Sequence, residues 1–428
     1  MIFNTLFTNK SKMIALKWLL GGYFKFMIKI VDMSYSNRIK FGFQLLLFFI
    51  GFESLAQKNY SALVQPVYSG NESTALSIYD TSPESPDGKY ICFIKYPAIA
   101  QGGHLAPPVR AEVMLKNRET GKIFKVKDVY CNNHNGANAL WINDSLVAFQ
   151  TNHFKDFEIY NVHSQKSEFG IIDGELGHKS FGNVIFYSKC NARLLIPDNS
   201  RTPYKPQEEG FFSLDCLTGK SKQFIKQSEI IAAFMKQNKK VTDNETKILH
   251  LEPNSSNTKI MFDYRYRSEN GTSWHDMHGI VSDDGSDPTW VKVRPMHVVW
   301  FDDETMFGVD TEDSKKRIFQ YDLTGKKLEI LGGTSTHVGV SPDRKWYIGE
   351  SDFYKAEADG FTRVYLYKRG QTSPYALLAE WKNSKITWEW VAHVNPSFSY
   401  DGKRAYFIRA STNEDKFEAV SMELPEFD

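Results

Sequence analysis

Ala392-His-Val-Asn-Pro-Ser-Phe-Ser-Tyr-Asp-Gly-Lys-Arg-Ala-Tyr-Phe-Ile408 is the stretch from which the fold can be read. It gives a histidine, an extended segment, an Asp401-Gly402 turn and a short apolar strand from Arg404 to Ile408. Asp-Gly between apolar runs is the strongest short hairpin signal, because glycine adopts positive φ without a steric penalty. The same plan occurs in Ser85-Pro-Asp-Gly-Lys-Tyr-Ile-Cys-Phe93 and in His337-Val-Gly-Val-Ser-Pro-Asp-Arg-Lys-Trp-Tyr-Ile348. Weaker copies start at His134, His178, His250 and His297. A period of roughly 40–50 residues, with several short strands in each repeat, is the mark of a propeller. The reading predicts an all-β chain forming one seven-bladed β-propeller.

Working outward, the first blade spans 75–128 and the second starts at His134. Later blades start at His178, His250, His297, His337 and His393. A helix is expected over 229–237, with Ile230, Ile231, Phe234 and Met235 on one face. The last blade has room for only three strands before Asp428, so a strand near 60–69 is expected to complete it.

Ahead of that strand, Asn37-Arg-Ile-Lys40 is a basic segment and 41–52 an apolar one. Ser54-Leu-Ala56 then has the small residues of a signal-peptidase site. The apolar run is too short to span a bilayer. Residues 1–56 are therefore assigned to a leader and signal peptide, 57–428 to a single catalytic propeller, and the protein to the periplasm or the exterior. With a net charge of +1 nothing calls for nucleic acid, and a monomer is expected. The four cysteines form no C-x-x-C pair, so no zinc ribbon or redox motif is present.

In a four-stranded blade, the start of the inner strand and the loop between the second and third strands share one face. The histidines above take the first position. The second is taken by loops carrying His153, Arg201, Tyr204, Tyr264, Arg265, Tyr266, Arg267, His275 and His278. The result is a cationic, aromatic rim on a neutral protein, suited to an anionic, hydroxyl-rich polymer. A lone histidine before a strand is more often a packing or turn residue, but six in register are harder to dismiss.

Asn132-Asn-His-Asn-Gly-Ala137, with a second histidine in Thr151-Asn-His-Phe154, resembles the paired histidines of the seven-bladed ulvan lyases, polysaccharide lyase families 24 and 25. That resemblance implies cleavage of a uronate polysaccharide, ulvan first, by β-elimination. It implies His134 and His153 as catalytic residues, with Tyr264 as the proton-handling tyrosine. It implies Arg201 as the carboxylate-binding arginine, and Tyr204, His178 and Arg267 as further substrate contacts; Tyr204, Tyr266 and Arg267 stay open as the true counterparts of the tyrosine and arginine. Some members hold a structural zinc, for which His278 and His297 are the ligands at hand, although the chemistry itself requires no cofactor. The rim histidines also resemble those of oligogalacturonate lyases, which use a metal cluster of histidines there.

The chemistry needs a base for the C5 proton of the uronate, an acid for the O4 leaving group and a cation on the carboxylate. Loss of one such electrostatic contact typically costs about 2.7–4 kcal/mol, and a positioned acid or base gives roughly 10²–10⁴-fold. Histidine suits the base, with an unperturbed pKa of about 6.5. Non-catalytic binding of a glycan or protein is the alternative of a different class.

Overall fold

The computed structural model describes residues 58–96, 108–132, 136–152, 155–190, 204–237, 246–267, 274–293, 295–333, 336–351, 360–382, 393–411 and 416–426. The chain divides into two compact units between Gln57 and Lys58, and all of these residues lie in the second, Lys58–Asp428. No helix among them is long and apolar enough to cross a membrane.

The architecture is of the β-propeller kind: short antiparallel meanders follow one another along the chain. The first joins Ser73–Ala75, Tyr90–Tyr96, Val109–Asn117 and Ile123–Cys131. The next joins Leu140–Trp141, Leu146–Asn152, Asp156–Asn161 and Lys166–Asp173, and touches the first through one parallel pairing, Tyr130 with Asn152. Three four-stranded sheets follow over 175–226, 246–290 and 296–333. A sheet over 338–382 takes Lys58–Asn59 as a fifth, parallel strand beside Ala376 and Leu377. The last sheet has three C-terminal strands, and Gln65–Pro66 pairs antiparallel with Ser421 and Val420 to give the fourth. A strand in the expected N-terminal segment thus supplies the missing edge.

Local chemistry sets the hairpins. The hydroxyls of Ser85, Ser341 and Ser399 donate to Asp87, Asp343 and Asp401 at 2.7, 2.7 and 2.6 Å. Each hydroxyl also accepts the N–H that opens the next strand, from Tyr90, Trp346 or Arg404, at 3.0 Å. The three turns are the same object built three times, and each places a left-handed residue at its tip: Gly88, Arg344 or Gly402.

The apolar residues bury between successive sheets. Phe157, Ile159, Leu176, Ile185 and Leu214 form one such layer, and Met261, Ile280, Val298, Met306 and Phe319 another. Tyr406, Ile408, Phe417 and Ala419 of the last sheet pack in one cluster with Ala75, Phe93 and Val113 of the first. Inner strands approach closely where a side chain is missing. A Cβ on Gly177 would lie 2.7 Å from the Phe186 carbonyl oxygen and 2.8 Å from that of Leu251.

Helix α1, Gln227–Gln237, interrupts the strand pattern. Its start is capped by Glu229, whose carboxylate accepts the Lys226 N–H at 2.9 Å. Only Ile230 and Phe234 are buried, so its apolar face is narrower than expected, and Met235 is exposed. All four cysteines are buried free thiols.

Candidate active site

Five residues on or beside the inner strands adopt left-handed backbone: Asp80, Asn138, His250, His297 and Asn395, with φ of 55°, 45°, 58°, 51° and 44°. Asn, Asp and His are the non-glycine residues that tolerate this region best. Strand pairing slips at the same places, between Leu249 and Glu252 and between Met296 and Val299. Such bulges re-aim side chains.

Histidines from separate sheets converge as a result. His178 Nε2 and His250 Nδ1 are 2.9 Å apart. His337 Nε2 and His393 Nδ1 are 2.6 Å apart. The His297 ring lies 4.4 Å from that of His337, and Tyr79 packs edge-on to His297 at 4.9 Å. Each pairing ties two segments that are distant in sequence. Burial, then the proximity of His250, pushes His178 well below the usual imidazole range. Burial, then His337, pushes His297 down to about 3. Both are neutral imidazoles at physiological pH.

Hydrogen bonds fix the tautomers. The His297 Nδ1–H donates to the Thr336 carbonyl at 2.9 Å, so Nε2 carries the lone pair. The His337 Nδ1–H donates to the buried Glu350 carboxylate at 2.6 Å, which leaves its Nε2 as the basic nitrogen facing His393. At the margin, His278 Nδ1 lies 2.9 Å from Asp263 Oδ1. Its Nε2 lies 3.2 Å from the Pro295 carbonyl oxygen.

Next to the cluster is an ionic hub. Lys179 Nζ lies 2.6 Å from Asp80 Oδ2 and 3.2 Å from Glu252 Oε1. Asp80 also accepts the Val340 N–H at 2.9 Å. One ammonium faces two carboxylates, of which Glu252 is buried and Asp80 part-exposed. Burial raises the Glu252 carboxyl, Lys179 opposes this, Asp80 adds to it, and the balance lies at about 7.

The structure brings together some of the expected site residues and not others. His178 and His297 belong to the cluster, His178 buried and His297 part-exposed. Tyr264 is a correction: it is fully buried, with its ring 4.3 Å from Phe234 and 4.8 Å from Trp290, because alternation along 259–267 turns it to the core. His278 as a metal ligand is a second correction, since both ring nitrogens are engaged by Asp263 and Pro295. Tyr204 donates to Asp173 at 2.8 Å, with Lys189 lying 5.8 Å from its ring. His134, His153, Arg201 and the side chain of Arg267 lie outside the described residues. The sequence reading missed Tyr79, Asp80, Lys179, Glu252, Asp263 and Glu350. Tyr79 was findable, since it stands as far ahead of Ser85 as His393 does ahead of Ser399. Among the described residues, no group of three or more His, Cys, Asp or Glu is spaced to hold a metal ion.

No protein-family model matches this chain. No curated protein matches it either. Among solved structures it is similar to an oligogalacturonate lyase from Vibrio parahaemolyticus, at 14% identity and a TM-score of 0.58 over 85% of this chain and 94% of that one. It is likewise similar to an oligogalacturonate lyase in complex with manganese, at 13% identity and a TM-score of 0.55, over 86% and 96%. The β-propeller domain of the Trilobed protease from Pyrococcus furiosus matches over 72% of this chain and 80% of that one, at 14% identity and a TM-score of 0.40. At these identities the likeness to the two lyases is one of fold.

Proposed function

We propose that this protein is a secreted or periplasmic, monomeric lyase that cleaves a uronate-containing saccharide by β-elimination, on a closed ring of seven four-stranded blades. The observation that carries the reading is the cluster of His178, His250, His297, His337 and His393, of which His250 and His297 are part-exposed, on a fold shared with oligogalacturonate lyases. The seven blades are read from the meanders, the two N-terminal strands and the core that joins last sheet to first.

His297 is the best-prepared base. Its proton sits on Nδ1, held by a backbone carbonyl, so Nε2 can take the C5 proton without a change of tautomer. Tyr79, a neutral phenol raised by burial, lies against His297 and His337 and is placed to give a proton to O4. His134, His153 and Arg201 complete the reading as the histidine pair of the resemblance and the carboxylate-binding cation.

Holding a divalent metal would require His337 Nε2 and His393 Nδ1 to part, since at 2.6 Å they share one proton. His337 Nε2 and His393 Nδ1 face one another, and Glu350 orients His337 from behind, the usual support of a metal-bound imidazole. When bound, manganese or zinc would supply positive charge to the uronate carboxylate. His297, with Nε2 available, remains compatible with a ligand role; His278 does not.

The fold neighbours favour oligogalacturonate as substrate, and the His134 and His153 motifs favour ulvan. The test is incubation with oligogalacturonate, polygalacturonate, ulvan and heparan sulfate, with and without manganese, following the ultraviolet absorbance of a new C4–C5 double bond. Absorbance growth on one polymer, lost in His297→Asn, is expected. No growth on any of them rules out the lyase reading in favour of a binding protein.

A further inference from the structure

The Asp263–His278 pair has the geometry of a buried ion pair. His278 Nδ1 faces a carboxylate oxygen at 2.9 Å and Nε2 faces a carbonyl oxygen at 3.2 Å. With Asp263 ionised both partners are acceptors, so both ring nitrogens carry protons and the ring is an imidazolium. It is buried, and a buried charge needs a partner. Asp263 is that partner, the two being opposite one another on paired strands.

Asp263 also stands opposite Leu249, the residue before His250, on the paired strands. Its charge acts on His178, His250 and His297 and on Tyr79. Among the charges acting on His250 it leads, ahead of Arg265 and His278. Arg265 is itself held by Asp276 at 3.0 Å, which directs part of its charge away.

We propose that Asp263 is a positioning residue for proton transfer: its carboxylate, kept ionised by the imidazolium of His278, stabilises the positive charge that arises when a cluster histidine takes a proton from the substrate. This rests on the lyase reading for its consequence, though not for the charged pair itself. In that reaction the C5 proton goes to an imidazole nitrogen. The electron pair it leaves becomes the C4–C5 double bond, and O4 departs with a proton from the acid. One cation appears in a site of neutral rings, and Asp263 is the carboxylate that offsets it. Two further directions agree. Burial would raise the Asp263 carboxyl, but His278, His250 and Arg265 outweigh it and hold the group below the usual range. Burial would lower His278, but Asp263 and the Pro295 carbonyl hold it above its usual value.

The test has two arms on the full-length protein. In the first, ring nitrogen NMR of ¹⁵N-histidine protein is recorded from pH 6 to about 8.5, roughly two units above the ordinary imidazole pKa. One imidazolium persisting across this range is expected. It should vanish in His278→Gln, and in Asp263→Asn it should be neutral at pH 8, while circular dichroism shows both variants folded. Neutral rings throughout in the wild type at pH 8 overturn the proposal, whatever the enzyme does. In the second arm, kcat/KM against pH is measured on the polymer the wild type cleaves. Asp263→Asn should move the acidic limb down by roughly one unit, with KM changed less than twofold. A uniform loss of kcat with the limb in place overturns the positioning role. A wild type that cleaves no uronate polymer removes the lyase reading and the catalytic role together, and the spectrum alone then decides the charged pair.

Discussion

Arg404 grips Glu84 through two hydrogen bonds, Nε to Oε2 at 2.7 Å and Nη2 to Oε1 at 2.6 Å, across 320 residues of sequence. Tyr406 donates to the same carboxylate, and Arg118 reaches it from 3.5 Å. Glu84 is 1% exposed. Removing one partner of a buried pair typically costs about 3–5 kcal/mol, because the other charge is left uncompensated. Glu84→Ala should therefore destabilise by about that much in urea unfolding. A loss below about 1 kcal/mol would mean that water replaces the carboxylate.

Stability should fall as the solution is made alkaline. The Glu252 carboxyl titrates at about 7 in the fold against an ordinary 4.5. Between those values the folded chain holds a proton that the unfolded chain has lost, so this group's share of the stability declines as pH rises through the window, by on the order of 2–3 kcal/mol. His278, raised in the fold, stabilises below its ordinary value, and that share is lost as pH rises through its folded value. The two slopes have the same sign. Asp263, lowered in the fold, acts oppositely and loses its share only in strong acid. His178, His250, His297 and His337, lowered in the fold, add stability that grows up to the ordinary imidazole value, so Tm should peak near about pH 6.5–7 and drop toward about pH 9. Glu252→Gln should flatten the decline and raise Tm at about pH 8.5; an unchanged slope would remove Glu252 as its cause.

Tyr264 should behave as a core residue. Its ring lies against Phe234, Tyr266 and Trp290, so Tyr264→Ala should cost about 3–5 kcal/mol. Tyr264→Phe should keep near-full turnover on whichever polymer the wild type cleaves. A turnover collapse in Tyr264→Phe without loss of stability would return the tyrosine to the chemistry.

Chelation should be felt at His337 and His393. If the pair holds a divalent metal, EDTA should lower Tm and turnover, and manganese should restore both. His393→Ala should abolish the manganese response of Tm. A wild-type Tm indifferent to EDTA and manganese would leave the two rings as a plain imidazole hydrogen bond.

Much of the fold was legible because its signals are local. The Ser-x-Asp turns at 85, 341 and 399 place hydroxyl, carboxylate and left-handed residue within four positions, and the strands after them are short apolar runs. The convergence of the histidines was legible as well, since repeats carry equivalent positions to a common place. The burial of His178, His337 and His393 was not. Whether an inner-strand side chain meets solvent depends on bulges such as that at His297, which shift the register between neighbouring strands. Asp263 and Glu350 were missed because an acidic residue inside a strand reads as solvent-facing until its partner is known. Here the partners are His278 and His337, each more than a dozen residues away. Tyr264 was misplaced for the same reason, as Tyr264-Arg-Tyr-Arg267 alternates and only one of its two faces is wet.

The two N-terminal strands have a consequence for how the protein assembles. Lys58 reaches Tyr375, 317 residues away, and Gln65–Pro66 waits for Ser421 and Val420. The intervening sheets are each built from neighbours in sequence and can collapse early. The edges that receive 58–59 and 65–66 are finished last. Contacts of such long separation form slowly, and until they form the intermediate carries open strand edges and a buried Glu84 without its arginine. Refolding should therefore end in one slow, concentration-sensitive phase. A chain cut short before Phe417 should aggregate and not settle into a smaller stable protein.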